Sequence, residues 1–273
     1  MKTSPQMTFQ GAMGVRTLAI LCVLTMHLLL MPSSLRAEND RVMVFSKTLG
    51  YRHASITNGI EAIRSLGATN GFAVDATEDS SAFTSTNLAR YQAVVFLSAT
   101  GDILNQDQEE AFRQYVANGG GFAAIHGAIF GPLACEDKWD WYGGLFCCAF
   151  INHSAIVPGT VIIEDSNHPS TAGIPTRWKR TEEWYNFTGT PRGCARVLAT
   201  VDESTYQGGG MGNDHPIVWC RRVGKGRMWY TAMGHTESSF SEPEFLRHIL
   251  GGIQAVSGSV PADDTPNPKP SSR

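Results

Sequence analysis

Residues 119–128 read GGGFAAIHGA. Three glycines lead into a short apolar run, which ends on His126 and another glycine. A buried parallel strand reads this way when it delivers one side chain to a sharp turn at its C-terminal end. Where hydrolase folds use such an elbow, the side chain delivered is Cys or Ser. Here it is an imidazole.

The surrounding pattern supports a parallel sheet. RVMVFS (41–46) and YQAVVFLSA (91–99) are β-branched and apolar throughout, as suits strands covered on both faces. Between them Ile56, Ile60 and Ile63 fall at i, i+4 and i+7, an amphipathic helix for which Gly67 is a plausible stop. FAVDA (72–76) reads as a further strand. Asn105 and Gln108 form a candidate capping box opening the helix QDQEEAFRQYVANG. Strand, helix, strand, strand, helix, strand predicts a doubly wound α/β sheet. The second half is richer in strands: GTVIIED (159–165), CARVLATVD (194–202), HPIVWCRR (215–222) and GRMWYTAMGH (226–235). A closing helix is expected with Ser241 as N-cap, Glu244 at N3 and the stripe Phe245, Ile249, Ile253.

The bulk composition bounds the rest. With 273 residues, 42% hydrophobic and 17% charged, the chain holds about one sizeable domain once its ends are set aside. A net charge of −3 with no Lys/Arg block argues against a nucleic-acid partner. At the N-terminus, Lys2 and Arg16 precede the apolar LAILCVLTMHLLLM (18–31) and a small residue at Ala37. This order predicts a secretory signal over 1–37, export to the periplasm or beyond, and no membrane attachment after cleavage. The 14-residue run, with His27 inside it, is short for a span. Five cysteines follow Ala37 (Cys135, Cys147, Cys148, Cys194, Cys220) without a C-x-x-C pair. One disulfide among them is compatible with export, its pairing left open. The Pro/Ser/Asp-rich tail 257–273 is expected to be disordered.

In open α/β sheets ligands sit beyond the C-terminal strand ends. Past the first strand lie Tyr51, Arg52, His53 and Ser55; past the third, Thr100 to Asp102; past the elbow strand, His126; past the last, His235 and Glu237. Three of these four ends carry histidine, and fold logic directs them to one pocket.

VFSKTLGYRHASI, GGGFAAIHGA, WDWYGGLF, RTEEWYNF, GNDHPIVWC and WYTAMGHTESSF together resemble the ThuA-like (trehalose utilisation) family across roughly residues 41–256. The resemblance implies a flavodoxin-like three-layer α/β/α sandwich, similar to class I glutamine amidotransferases, with extra strands in the second half. Those relatives carry a cysteine at the elbow and a late H-x-E. Here His126 stands at the cysteine's place, and His235, Thr236 and Glu237 at the H-x-E. Attack by a thiolate or alkoxide at the elbow is therefore excluded, and amidotransferase activity with it. The implied partner is a small carbohydrate.

His53, His126 and His235 are the acid/base candidates, with Glu183 or Glu237 as orienter or second base. The same three histidines are candidate ligands of a divalent metal, completed by Glu183 or water. Alternatively, each only shapes a loop by donating to a carbonyl. In TEEWYNF (181–187) a strand would point Glu183 and Tyr185 to one face, Glu182 and Trp184 to the other. Trp184, Tyr185, Trp139, Trp141 and Tyr142 offer either a sugar platform or a core plug. Substrate-binding candidates are Tyr51, Arg52, Asp102, Trp141, Trp184, Tyr185 and His215. His168 reads as structural, His153 as open, and YQGGGMGND (206–214) as a flap over the pocket. The expectation is an exported carbohydrate-active enzyme acting on a disaccharide or keto-sugar derivative by His/Glu acid–base chemistry, with or without a metal. The alternative is a non-catalytic carbohydrate-binding protein.

Overall fold

Five short strands, the central ones unbroken apolar runs, build the parallel half of one sheet. In a computed structural model of the chain, residues 1–4, 40–130 and 140–268 are described. Residues 5–37 of the expected signal segment, Cys135 and Trp139 lie outside them. β1 (Arg41–Phe45), β2 (Ala73–Thr77), β3 (Ala93–Leu97), β4 (Gly121–Ile125) and β9 (Gly226–Thr231) pair in the order β2-β1-β3-β4-β9, all parallel. β8 (Pro216–Val223), β7 (Arg196–Asp202), β5 (Phe150–Ile163) and β6 (Arg177–Phe187) extend the sheet antiparallel beyond β9, giving nine strands. Every residue of β3 and β4 is buried, as their unbroken apolar runs require.

Helices cover both faces. α1 (Ile56–Asn70) and α5 (Pro243–Ser257) pack against each other on one side. α2 (Ser85–Leu88), α3 (Gln106–Ala117) and α4 (Asp140–Phe146) lie on the other. There Phe112 of α3 stacks on Phe96 with ring centroids 5.1 Å apart and meets Phe122 edge-on at 5.1 Å, locking helix to sheet through aromatic faces. The three-layer flavodoxin-like sandwich is thus present. The capping box at Asn105 and Gln108 forms, each side chain bonding the other's backbone.

Four local expectations are corrected. α1 does not stop at Gly67 but runs to a left-handed Gly71 with φ +79°. Gly67 lets the helix approach its own exit instead, since a Cβ there would fall 2.6 Å from Phe72 O. α5 is capped at Glu242 with Pro243 in its first turn, while Ser241 closes the preceding 3-10 turn and bonds Ser238 O. β5 starts nine residues before Gly159, and two bulges bend its first half. Residues 258–268 lie against the sheet rather than free. Asn267 pairs with both backbone groups of Val197 (2.8 and 3.0 Å), Asp264 with Arg227 (2.8 Å) and Asp263 with Arg196 (3.0 Å). Hydrogen bonds and ion pairs hold what apolar burial does not.

Candidate active site

β1 leads to β2 on one side and the chain then returns to β3 on the other, so the order reverses between β1 and β3. That switch point opens a crevice. The loops after these strands line it and lean together: Leu49 N–H donates to Thr100 O (2.8 Å), and the Thr100 hydroxyl to Tyr51 O (2.9 Å).

His126 follows β4 in the left-handed region, φ +51°, the strained elbow backbone that usually delivers a nucleophile. Its ring is fully buried. A carbonyl can only accept, so Nδ1–H donates to Ala232 O (2.7 Å) and Nε2 carries a lone pair. The Tyr185 hydroxyl (2.8 Å) and His235 Nδ1 (3.1 Å) both face that lone pair. Burial, reinforced by the His53 ring, holds the His126 pKa well below the ordinary value. His53 packs edge-on against His126 (4.6 Å between centroids) and over Gly127, where a Cβ would fall 2.9 Å from His53 Cε1. Burial and the neighbouring His235 bring its pKa down to about 4, and its Nδ1 has no hydrogen-bond partner.

His235 sits nearer the cleft mouth. Its pKa is raised, first by the hydrogen bond to Glu183, against the opposing effect of burial. Glu183 Oε2 lies 3.2 Å from His235 Nδ1 and 3.7 Å from His126 Nε2, while Oε1 lies 3.0 Å from His153 Nδ1. One donor atom from each of His53, His126, Glu183 and His235 falls within 4.8 Å of the others. His53, Glu183 and His235 floor a cleft of about 460 Å³, with His126 buried behind them, walled by Tyr51, Phe130 and Ile156 and by the Gly50 and Gly101 backbone. Its size is that of a small-ligand pocket.

Positions two apart on β6 share a face, so Glu183 and Tyr185 enter the cleft as expected from the sequence. How β6 arrives there is a tertiary matter. It is the last strand in the order, yet β5 pairs with β7 only over Thr160–Ile163, so the far half of the β5–β6 ribbon projects past the sheet. There it bends over the strand ends and brings Tyr185 to His126. Glu182 points the other way, into a buried pair with Arg180, and accepts the backbone N–H groups of Gly234 (3.0 Å) and His235 (3.1 Å).

The structure therefore gathers His53, His126, His235, Glu183, Tyr51 and Tyr185. It separates the others. The Thr236 hydroxyl caps a 3-10 turn over Glu237–Ser241, which directs Glu237 into a different groove beside α1. Arg52 is exposed and paired with Glu78 (2.8 Å), and Asp102 is exposed outside the cleft lining. Trp184 is buried on the opposite face of β6, its indole N–H donating to Val157 O (3.1 Å), so it is core rather than platform. Trp141 packs on Phe112 (6.1 Å), and Tyr142 is buried with its hydroxyl on Ala128 O (2.6 Å). His215 stands behind the wall, bonding Tyr185 O (2.7 Å) and Glu203 (2.7 Å). The glycine-rich loop docks on Asn186 and Glu203 and contributes nothing to the cleft lining. His168 bonds Ser170 away from the cleft. Phe130, His153 and Ile156 line the cleft without having been read as site residues. His153 and Ile156 enter because the bulged β5 pairs them with Tyr185 and Glu183, a register no local pattern reveals.

The model of the ThuA family, described as trehalose utilisation, matches residues 41–255. A ThuA-like protein of Bacteroides uniformis superposes with a TM-score of 0.67 at 22% identity, covering 80% of this chain and 91% of that one. A ThuA-like protein of Parabacteroides merdae gives 0.65 at 19% identity, covering 81% and 90%. A cytoplasmic protein of Salmonella typhimurium gives 0.56 at 15% identity, covering 79% and 98%. At these identities the likeness shows the fold alone. No curated protein matches the chain. With the family pattern spanning the sheet, the elbow and the histidine floor, this chain belongs to the ThuA, trehalose-utilisation family.

Proposed function

We propose that this protein is an exported carbohydrate-active enzyme working on a disaccharide or its keto derivative by proton transfer. One observation carries the reading: Glu183 stands between two imidazoles, 3.2 Å from His235 and 3.0 Å from His153, on the floor of the cleft. The carboxylate orients His153 through Nδ1, which also faces Ser154 O (2.8 Å), and this leaves Nε2 as the ring's proton acceptor. A C–H beside a sugar carbonyl is acidic enough for such a base. Its proton passes to His153 while His235 donates to the carbonyl oxygen, giving an enediol. Return of the proton to the neighbouring carbon isomerises the sugar. Alternatively, the enediol returns its hydroxyl proton to His235 as the carbonyl re-forms, and the glycosidic oxygen one bond further on leaves with the proton held by His153, which cleaves the sugar to an enone and an alcohol.

The family description, trehalose utilisation, supports the substrate class. So do the apolar walls, Tyr51, Phe130 and Ile156, above a polar floor. Export is supported by the basic, apolar, small order of residues 1–37 and by the Cys147–Cys194 disulfide. The Salmonella relative, named as cytoplasmic, is only 15% identical.

The test is incubation of the purified protein with disaccharides and their keto derivatives in D2O, followed by mass spectrometry. Deuterium incorporation or cleavage is expected, and its loss in Glu183→Gln and His153→Gln. Calorimetric binding without turnover would favour a carbohydrate-binding protein. Neither binding nor turnover would overturn the reading.

A further inference from the structure

We propose that His126, His235, Glu183 and His53 bind one divalent transition-metal ion, with zinc the best match to their donors. The inference rests on reading this floor as the functional centre, and concerns what the floor holds rather than which sugar lies above it.

The distances argue first. His126 Nε2, His235 Nδ1 and Glu183 Oε2 form a triangle with sides of 3.1, 3.2 and 3.7 Å. Donors bound at zinc's usual bond lengths in a tetrahedron stand about 3.4 Å apart. His53 also offers a ring nitrogen to this cluster, whose four donor atoms lie within 4.8 Å of one another, and is the candidate fourth ligand.

The second shell argues independently. A ligating histidine commonly donates its other N–H to a carbonyl or carboxylate, which fixes the tautomer. His126 does so to Ala232 O, and its Nε2 lone pair faces the other donors. Glu183 divides its oxygens, Oε1 on His153 and Oε2 toward the cluster. Glu182 pins the backbone that carries His235. These three donors are therefore held from behind.

His53 supplies a third observation. It is 5% exposed, and its Nδ1 is buried without a partner. Buried polar atoms are ordinarily satisfied, so an orphan nitrogen on a ring that belongs to this four-donor cluster points to a ligand. Three imidazoles and one carboxylate select zinc and its neighbours over magnesium or calcium, which prefer all-oxygen shells. The cleft gives the ion a way in. The Tyr185 hydroxyl, 2.8 Å from His126 Nε2, must turn aside as the ion binds. Removing it should not weaken the site. With an ion bound, polarisation of the sugar carbonyl passes from His235 to the metal, while His153 remains the free base.

The experiment uses protein purified without an affinity tag, stripped with a chelator and titrated with Zn²⁺, Co²⁺ and Mg²⁺ by calorimetry, with the visible spectrum of the cobalt form. One zinc per chain and an intense low-symmetry cobalt spectrum are expected, with no magnesium binding. His235→Ala and Glu183→Gln lie at the accessible side, so their folding can be checked by circular dichroism. Each should weaken zinc at least tenfold, Tyr185→Phe should bind at least as tightly as the parent, and His168→Asn, distant from the cleft, should bind unchanged. Zinc binding no tighter than in His235→Ala, or magnesium bound equally well, would overturn the proposal. Sugar turnover at full rate by stripped protein would also overturn it while sparing the sugar reading. Stoichiometric zinc with no sugar bound or turned over would do the reverse.

Discussion

Glu182 accepts the backbone N–H of His235 at 3.1 Å, and Glu183, the next residue, holds the imidazole of the same histidine at 3.2 Å. Two consecutive side chains on opposite faces of β6 thus grip one residue from behind and from the front. Glu182 is fully buried against Arg180, whose guanidinium also reaches Glu242 at 3.3 Å. Glu182→Ala leaves that guanidinium short of its nearest charge and frees the His235 backbone. The expected loss is about 3 kcal/mol, a melting temperature lower by roughly 10 °C. Thermal unfolding measures it; a shift of a degree or two would show that the pair does not hold this loop.

Gly127 sets the place of His53. A methyl group there would stand 2.9 Å from His53 Cε1 and 3.3 Å from Thr100 Cγ2. Gly127→Ala should push the imidazole from the cluster and reduce turnover at least tenfold while the far-UV spectrum stays native. Full activity in that variant would remove His53 from the working site.

The Cys147–Cys194 bond joins the end of α4 to the turn before β7, 47 residues apart. Closing a loop of that length restricts the unfolded chain by about 4 kcal/mol. A reductant, or Cys147→Ser with Cys194→Ser, should lower the urea midpoint accordingly. Equal midpoints with and without reductant would contradict it. Burial pushes the Cys148 thiol up to about 12 and Cys220 well above its ordinary range, so both should resist alkylation until the protein unfolds.

Acid should destabilise the fold before the carboxylates titrate. Burial holds His248 at about 3 and His168 at about 4, against the ordinary value of 6.5. Both are neutral in the native state and take up a proton on unfolding. Their stabilisation is complete above about pH 6.5 and is lost as pH falls toward the folded values, at about 1.4 kcal/mol per unit for each group. His248 links α5 to the turn between β5 and β6 through Ser170 O (2.7 Å) and to β9 through Thr231 (3.1 Å). His248→Gln should flatten the fall in urea stability between pH 6.5 and 5. An unchanged slope would place the acid sensitivity elsewhere.

Local patterns in the sequence determined the parallel strands, the capping box at Asn105 and the split of β6 into a Glu183/Tyr185 face and a Glu182/Trp184 face. Unbroken apolar runs, an i, i+3 cap pair and the two-residue alternation of a strand are all local signals that the backbone imposes. The glycine-led apolar run placed His126 at the elbow, and the family resemblance matched it to the position of the amidotransferase cysteine. Only the tertiary structure decided which faces meet. Trp184 lies in the core and Tyr185 in the cleft because the ribbon bends over the strand ends in one direction. Glu237 leaves the site because the chain turns at Thr236, one residue after a histidine that stays. His153 enters through a bulged pairing with a strand more than thirty residues on. The tail is held by arginines that lie far from it in sequence. Such contacts depend on register and curvature between distant segments, and a local pattern contains neither.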